Sequence, residues 1–282
     1  MRPRLAFIAL VLIYTALASL YAVNTPLWQV PDEPAHYNYI RTVAEQAALP
    51  VLQMGDYDQA YLEKIKAEKF RPDLPIDPIR YESHQPPLYY LLAAPVYKAG
   101  QTASLAARVM GLRLFSVLWG VVLLALIYQI ARAVFDADEV VPLLAVALAA
   151  FVPQHLAMEA SVNNDPLAEV ALAGVALGLV KILKGAGARR WWWMVGALTG
   201  LGFLTKTTTY VSVGLIAVTL LMLARSEGYS RKPKELLSLI ALPLGLAFFL
   251  GMLWFARNAL IYGPTDWLAL SRHRAVVAGQ PT

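Results

Sequence analysis

Apolar residues run along this chain in long uncharged stretches separated by short polar connections. The first, Leu5–Val23, holds 19 residues without a charge. At about 1.5 Å per helical residue it reaches roughly 28 Å, close to one hydrocarbon core. Further stretches occupy Leu114–Ile130 (extending back toward Ser104), Val140 to about Met158, Pro166–Val180, Trp191–Leu204, Thr207–Ala224 and Leu236–Ala256. The pattern predicts an all-α, polytopic bundle of about seven membrane spans, forming one unit over residues 1–282. Pro142 and Pro153 bracket the third stretch, so its ends are the least regular. Met1-Arg2-Pro3-Arg4 has the form of a signal-peptide leader and Ala18-Ser19-Leu20 mimics a cleavage site, but the spans that follow favour a retained first helix.

Two segments break the hairpin rhythm. Residues 24–103 form a long first loop with ten acidic side chains from Asp32 to Glu82. Within it Pro87–Tyr97 is apolar, yet too short and too proline-rich to cross. It is expected to lie along the interface or dip back into the bilayer. After Ala256 the chain turns polar with no closing helix, which suggests the N-terminal part of a larger protein. Neither an internal repeat nor a low-complexity tract is present.

Composition sharpens this picture. Hydrophobic residues make up 58% of the chain and charged ones only 15%, against about 25% charged in a water-soluble domain. The lack of cysteine removes disulfide scaffolds, thiolate metal sites and thiol nucleophiles. A net charge of +5 would suit nucleic acid if the cations formed a patch. They sit instead between apolar stretches, so membrane lipids are the expected partner and nucleic acid is not. Arg2 and Arg4, Arg132, then Lys181, Lys184, Arg189 and Arg190, then Arg225, Arg231, Lys232 and Lys234 fall on one side of alternating crossings. The opposite side has a loop around 154–165 without Lys or Arg and a hairpin with Lys206 alone. The positive-inside rule then predicts a multi-pass cell (inner or plasma) membrane protein with a cytoplasmic N-terminus. Trp191-Trp192-Trp193 reads as an interfacial aromatic anchor.

Every predicted outer connection carries polar groups that a tether would not need. Pro31-Asp32-Glu33-Pro34-Ala35-His36 holds two carboxylates stiffly near the membrane surface, with an imidazole close by. Capping of a following helix is the plain alternative for Asp32. Ser161-Val162-Asn163-Asn164-Asp165-Pro166 opens the fourth span, and there too a cap explains Asp165 in part. Glu159 and Glu169 lie close in sequence and exceed what capping requires. Tyr81-Glu82-Ser83-His84-Gln85-Pro86-Pro87-Leu88-Tyr89-Tyr90 marks the return of the long loop to the bilayer. Lys206 at a hairpin tip either snorkels to water or, with Arg108, Arg113 and Arg257, binds an anion at headgroup level. No cofactor is implied outright. A divalent metal is compatible, although His36, His84 and His155 match no compact ligand spacing.

Carboxylates, cations and a membrane cleft would together suit sugar transfer from a lipid phosphate. Phosphate is already a good leaving group, so the reaction needs a base for the acceptor and cations for the departing phosphate. A transporter or flippase, or a non-catalytic membrane subunit, remains open on composition alone. A transporter would favour charges at the midplane and paired repeats, neither of which is visible here.

The ordered set of motifs resembles the GT-C superfamily of integral membrane glycosyltransferases. Asp32-Glu33 opens the first outer loop, Asn163-Asn164-Asp165 precedes the fourth helix, and His84-Gln85-Pro86-Pro87-Leu88-Tyr89-Tyr90 and Gly200-Leu201-Gly202-Phe203-Leu204-Thr205-Lys206 complete the likeness. Within the superfamily it is similar to the protein O-mannosyltransferase, aminoarabinose transferase and Rgt-like group. The resemblance implies a GT-C-like fold and an inverting transfer from a polyprenyl-phosphate-linked sugar to a lipid, glycan or protein acceptor on the extracytoplasmic face. It implies Asp32 as general base, Glu33 as its neighbour and Asp165 as second acidic site residue. Lys206, Arg108 and Arg113 would meet the lipid phosphate, with His36, His84, Gln85 and Asn164 lining the substrate site. Aminoarabinose transferases carry Lys immediately before Pro-Pro, where this chain has Gln85.

Overall fold

A computed structural model describes residues 3–185, 188–225 and 233–279. Arg2, Arg231 and Lys232 of the charge pattern lie outside the described residues. The architecture is all-helical, with no strand among the described residues. In chain order the helices are α1 (Pro3–Asn24), α2 (Glu33–Gln46), α3 (Gln59–Ala67), α4 (Leu88–Ala99), α5 (Leu105–Val134) and α6 (Val140–Phe151). Then follow α7 (Pro153–Glu159), α8 (Asp165–Leu183), α9 (Ala188–Phe203), α10 (Val211–Arg225), α11 (Pro233–Tyr262) and α12 (Leu270–Val276).

All seven apolar stretches are helical, and the structure refines how they cross. Among the described residues five helices are long and apolar enough to span a membrane: α1, α5, α8, α10 with the short turn before it, and α11. The third stretch is broken, because Pro153 lacks the N–H that would continue the ladder of α6. The chain bends by 69° between α6 and α7, giving a sixth candidate if the pair counts as one span. The fifth stretch forms α9, whose 16 residues reach only about 24 Å.

α5 is the centre of one half of the bundle, packing against α1, α6 and α8. Tyr14, Val117, Leu124, Val146 and Ala150 form the core between α1, α5 and α6. In the other half α9 is clasped between α8 and α11. Trp192 is buried there with Val175, Val195 and Ile216, which corrects the anchor reading for this residue: its indole fills the bundle interior. Trp193 on the same turn is exposed.

Gly196 allows the close approach of α9 and α11, since a Cβ there would lie 2.2 Å from the Pro243 carbonyl oxygen. Backbone cannot yield as a side-chain tip can, so Gly196→Ala should separate the two helices. The expected result is a clear loss of thermal stability for the detergent-solubilised protein, readable by fluorescence size-exclusion after a heat step. An unchanged melting profile would show that the approach is looser than described.

The long loop is a packed layer with its own core. Trp28, Tyr37, Tyr39, Ile40, Tyr89, Tyr90 and Tyr97 bring α2 and α4 together over the start of α5. The segment Pro87–Tyr97 is thus a helix with two faces. Tyr89, Tyr90 and Ala93 are buried, while Leu91 and Leu92 are exposed on the other side. The last turns of α11 pack against this layer: the Tyr262 hydroxyl accepts from Leu52 N at 2.9 Å, and Arg257 donates to the Pro50 carbonyl at 2.6 Å. Arg4, Arg132 and Glu139 border one cavity, and Lys184 pairs with Asp136; these groups sit at the helix ends away from the layer.

Candidate active site

The four sequence motifs meet at the layer end of the bundle, and Glu33 is what ties the first of them down. Its carboxylate is fully buried. It accepts from Arg113 Nε and Nη2, both at 2.7 Å, from Trp28 N at 3.0 Å and from Val162 N at 3.2 Å. The remaining Arg113 donors reach the carbonyls of Ala22, Thr25 and Pro26. All five guanidinium N–H groups are therefore engaged inside the protein. Arg113 has no donor left for a lipid phosphate, and Glu33 has no free oxygen for an acceptor. The pair instead stitches the end of α1 to α5 and brings the Asp32 segment against the Ser161–Asp165 loop.

Asp32 sits immediately before α2 with φ of 62°, a left-handed conformation that Asp and Asn tolerate better than other side-chain-bearing residues. Its side chain makes no capping bond to the helix, so the plain capping reading fails. One oxygen, Oδ1, accepts from the Tyr81 hydroxyl at 2.6 Å. The residue is exposed.

The returning segment makes a 3-10 turn at Tyr81–His84 and enters α4 through Pro86-Pro87. Leu88 N donates to the Leu204 carbonyl at 2.8 Å, which docks this entry on the α9–α10 hairpin. Gln85 Nε2 donates to Glu82 Oε2 at 2.8 Å. Asn164 is wholly buried; its Nδ2 donates to the Thr205 carbonyl at 2.9 Å and to Gln85 Oε1 at 3.4 Å. One amide thereby links the fourth-span motif, the hairpin and the Gln-Pro-Pro entry. Asp165 opens α8 and receives Lys206 Nζ at 2.6 Å. Lys206 is largely buried, unlike a snorkelling lysine.

The electrostatics mark the same place. Burial, then the neighbouring Asp32 charge, push the Glu82 carboxyl up to about 7. Burial brings His84 down to about 4. Burial and then the Lys206 charge hold His36 well below the usual imidazole range, and its Nδ1 lies 2.8 Å from the Tyr90 hydroxyl. His273, from α12, stacks on His84 with ring centroids 3.9 Å apart and is itself lowered by burial and by His84. Arg108 is placed elsewhere: it donates to Tyr97, Gly100 and Gln101 at the end of α4 and lies over the Tyr97 ring.

Glu82, Tyr81 and His273 were not singled out by spacing. Glu82 and Tyr81 stand within the Gln-Pro-Pro stretch, so proximity to that motif was their one signal. Nothing in the sequence connects His273 to residue 84.

Glu82 gives a pH prediction. A carboxyl whose folded value is raised binds a proton that the unfolded chain has released, so stability falls as pH rises from about 4.5 to about 7. His84 slopes the other way between about 4 and 6.5, because the unfolded imidazole binds the proton first. The informative quantity is the difference between wild type and Glu82→Gln. The variant should gain on wild type in melting temperature as pH goes from 5 to 8, and a difference that stays flat would place Glu82 in a more polar setting.

The family model for dolichyl-phosphate-mannose-protein mannosyltransferase matches residues 84–269. The chain belongs to this family. It is therefore a multi-pass membrane glycosyltransferase. The matched region contains His84-Gln85, Asn164-Asp165 and Lys206, while Asp32 and Glu33 precede it. No curated protein and no solved structure matches the chain.

Proposed function

We propose that the protein transfers a sugar, with inversion, from a polyprenyl-phosphate donor to an acceptor at the extracytoplasmic face, with Asp32 as general base. The observation that carries this reading is the meeting of Asp32–Tyr81, Glu82–Gln85–Asn164 and Asp165–Lys206 at one end of the bundle. The Tyr81 hydroxyl occupies one oxygen of Asp32, and the other is left to take the proton of an acceptor hydroxyl. That hydroxyl oxygen forms the new bond to the anomeric carbon as the bond to the phosphate oxygen breaks, and the prenyl phosphate departs with the electron pair.

Lys206 is the cation for that phosphate. Asp165 occupies one of its three donors and fixes its position; the other two suit phosphate oxygens. Below about pH 7 Glu82 is neutral, which spares the donor phosphate a second nearby charge. Beside this hairpin an apolar groove of about 520 Å³ is lined by Phe203, Tyr210, Met252, Phe255 and Trp267, and it suits a prenyl tail. Arg113 and Arg108 serve the packing of the loop layer, and the whole chain acts as one unit. The distribution of Arg4, Arg132, Lys184, Arg189 and Arg190 supports a cytoplasmic N-terminus.

Proteoliposomes of the chain, supplied with a polyprenyl-phosphate-linked labelled mannose, should release free prenyl phosphate. Movement of intact donor between leaflets without release would identify a flippase instead, and neither event would leave a non-catalytic subunit.

A further inference from the structure

A second polar cluster lies one turn of α8 beyond Asp165, and the reaction above does not use it. His155 and Glu159 come from α7 and Glu169 from α8. His155 Nε2 stands 2.9 Å from Glu169 Oε2 and 3.6 Å from Glu159 Oε1. One donor atom from each of the three lies within 4.8 Å of the others.

The other ring nitrogen, Nδ1, is 2.8 Å from the Ala149 carbonyl oxygen. A carbonyl only accepts, so Nδ1 carries a proton, and Nε2 is the ring nitrogen placed to offer a lone pair to a metal. Such a lone pair and the two carboxylates point at one region, where a single cation would bond all three. An N–H to carbonyl bond behind the ring is also the arrangement that orients metal-bound histidine.

An independent observation comes from the buried side. Glu159 is 1% exposed and its Oε2 has no hydrogen-bond partner; the Tyr14 hydroxyl of α1, also fully buried, has none either. A Cβ on Gly120 would stand 1.8 Å from that hydroxyl and 2.6 Å from Glu159 Oε2, so the two oxygens face the same small space.

We propose that His155, Glu159 and Glu169 bind a divalent cation of the Zn2+ class, which clasps α7 to α8 with the Tyr14 hydroxyl alongside. Tetrahedral zinc with bonds of about 2.0–2.1 Å sets neighbouring ligand atoms about 3.3–3.4 Å apart. The two nitrogen–oxygen separations here, 2.9 and 3.6 Å, fall on either side of that value. One imidazole with two carboxylates suits a first-row transition ion better than the all-oxygen shells of Ca2+ or Mg2+. A proton on Nε2 would hydrogen-bond Glu169 and leave Glu159 with only a 3.6 Å ion-pair contact, whereas a dication would bond both carboxylates. With His155 23% and Glu169 41% exposed, the ion has a way in. The clasp would hold the 69° bend between α6 and α7 and, through it, the Ser161–Asp165 loop that follows.

The test is isothermal titration of ZnCl2 into the chelator-stripped chain in detergent, with thermal unfolding as second readout. The expected result is one saturable Zn2+ per chain, a higher melting temperature on binding, and affinity lower by about tenfold or more in His155→Gln and in Glu169→Gln. Glu169 is partly exposed and bonds only His155, so Glu169→Gln should fold even if the His155 variant does not. Absence of saturable Zn2+ binding to wild type overturns the proposal. So does binding that Glu169→Gln leaves intact, or that disappears in His273→Gln, which would move the ion to the His84–His273 stack.

Discussion

Asp32→Asn should lower sugar transfer by about 10²–10⁴-fold, the usual contribution of a positioned general base, while the protein inserts and accumulates as wild type does. Few substitutions separate chemistry from folding so cleanly. Asn keeps the volume of Asp and shares its tolerance for the left-handed backbone at φ 62°. Its amide oxygen still accepts from the Tyr81 hydroxyl, which meets Oδ1 at 2.6 Å in the wild type. The helix start is insensitive to the change, because the Asp32 side chain makes no capping bond to α2. What disappears is the basic oxygen, and with it the means to remove the acceptor proton. The measurement is labelled-sugar transfer in proteoliposomes at matched protein density. Transfer equal to wild type would remove Asp32 from the mechanism and return the segment to a structural role.

The spans were legible because a bilayer imposes length: a run such as Leu5–Val23 has few other uses for 19 uncharged residues. The break in the third span was legible through Pro153, though its angle was not. The fate of residues 24–103 could not be read, since helical spacing says nothing about whether Tyr89 and Tyr90 face lipid or α2. Trp192 was misread for a similar reason. Its neighbours Arg189 and Arg190 suggest an interface, but helical rotation sends its ring into the interior while Trp193 stays exposed. The candidate site was half legible. Asp32, Asp165, Lys206, His84 and Gln85 stand out by composition at loop positions, and the structure gathers them. Charge alone could not sort the arginines, because what occupies Arg113 is backbone carbonyl at Ala22, Thr25 and Pro26, and backbone has no sequence signature.

If Arg113 met the lipid phosphate, Arg113→Met would fold and bind donor poorly. The observed geometry predicts a folding defect instead. Removing one member of a buried ion pair leaves the other uncompensated, at a cost of about 3–5 kcal/mol. Here the abandoned group is Glu33, fully enclosed and reduced to two backbone donors, Trp28 N and Val162 N. Arg113→Met should therefore yield little monodisperse protein. Glu33→Gln alone should be nearly as damaging, since it leaves a buried guanidinium with carbonyls but no counter-charge. The double variant Glu33→Gln/Arg113→Met should recover a substantial part of the loss, because it removes both charges and its amide oxygen can still accept from one of the two backbone donors, Trp28 N or Val162 N. A ligand-binding arginine gives the opposite signature: single variants that fold, a raised KM for donor, and no rescue on combining them. Comparing the yield and melting temperature of the four proteins separates the two roles without an activity assay. The result also bears on Asp32, whose neighbour Glu33 is the link by which the first loop is drawn to the loop that carries Asp165.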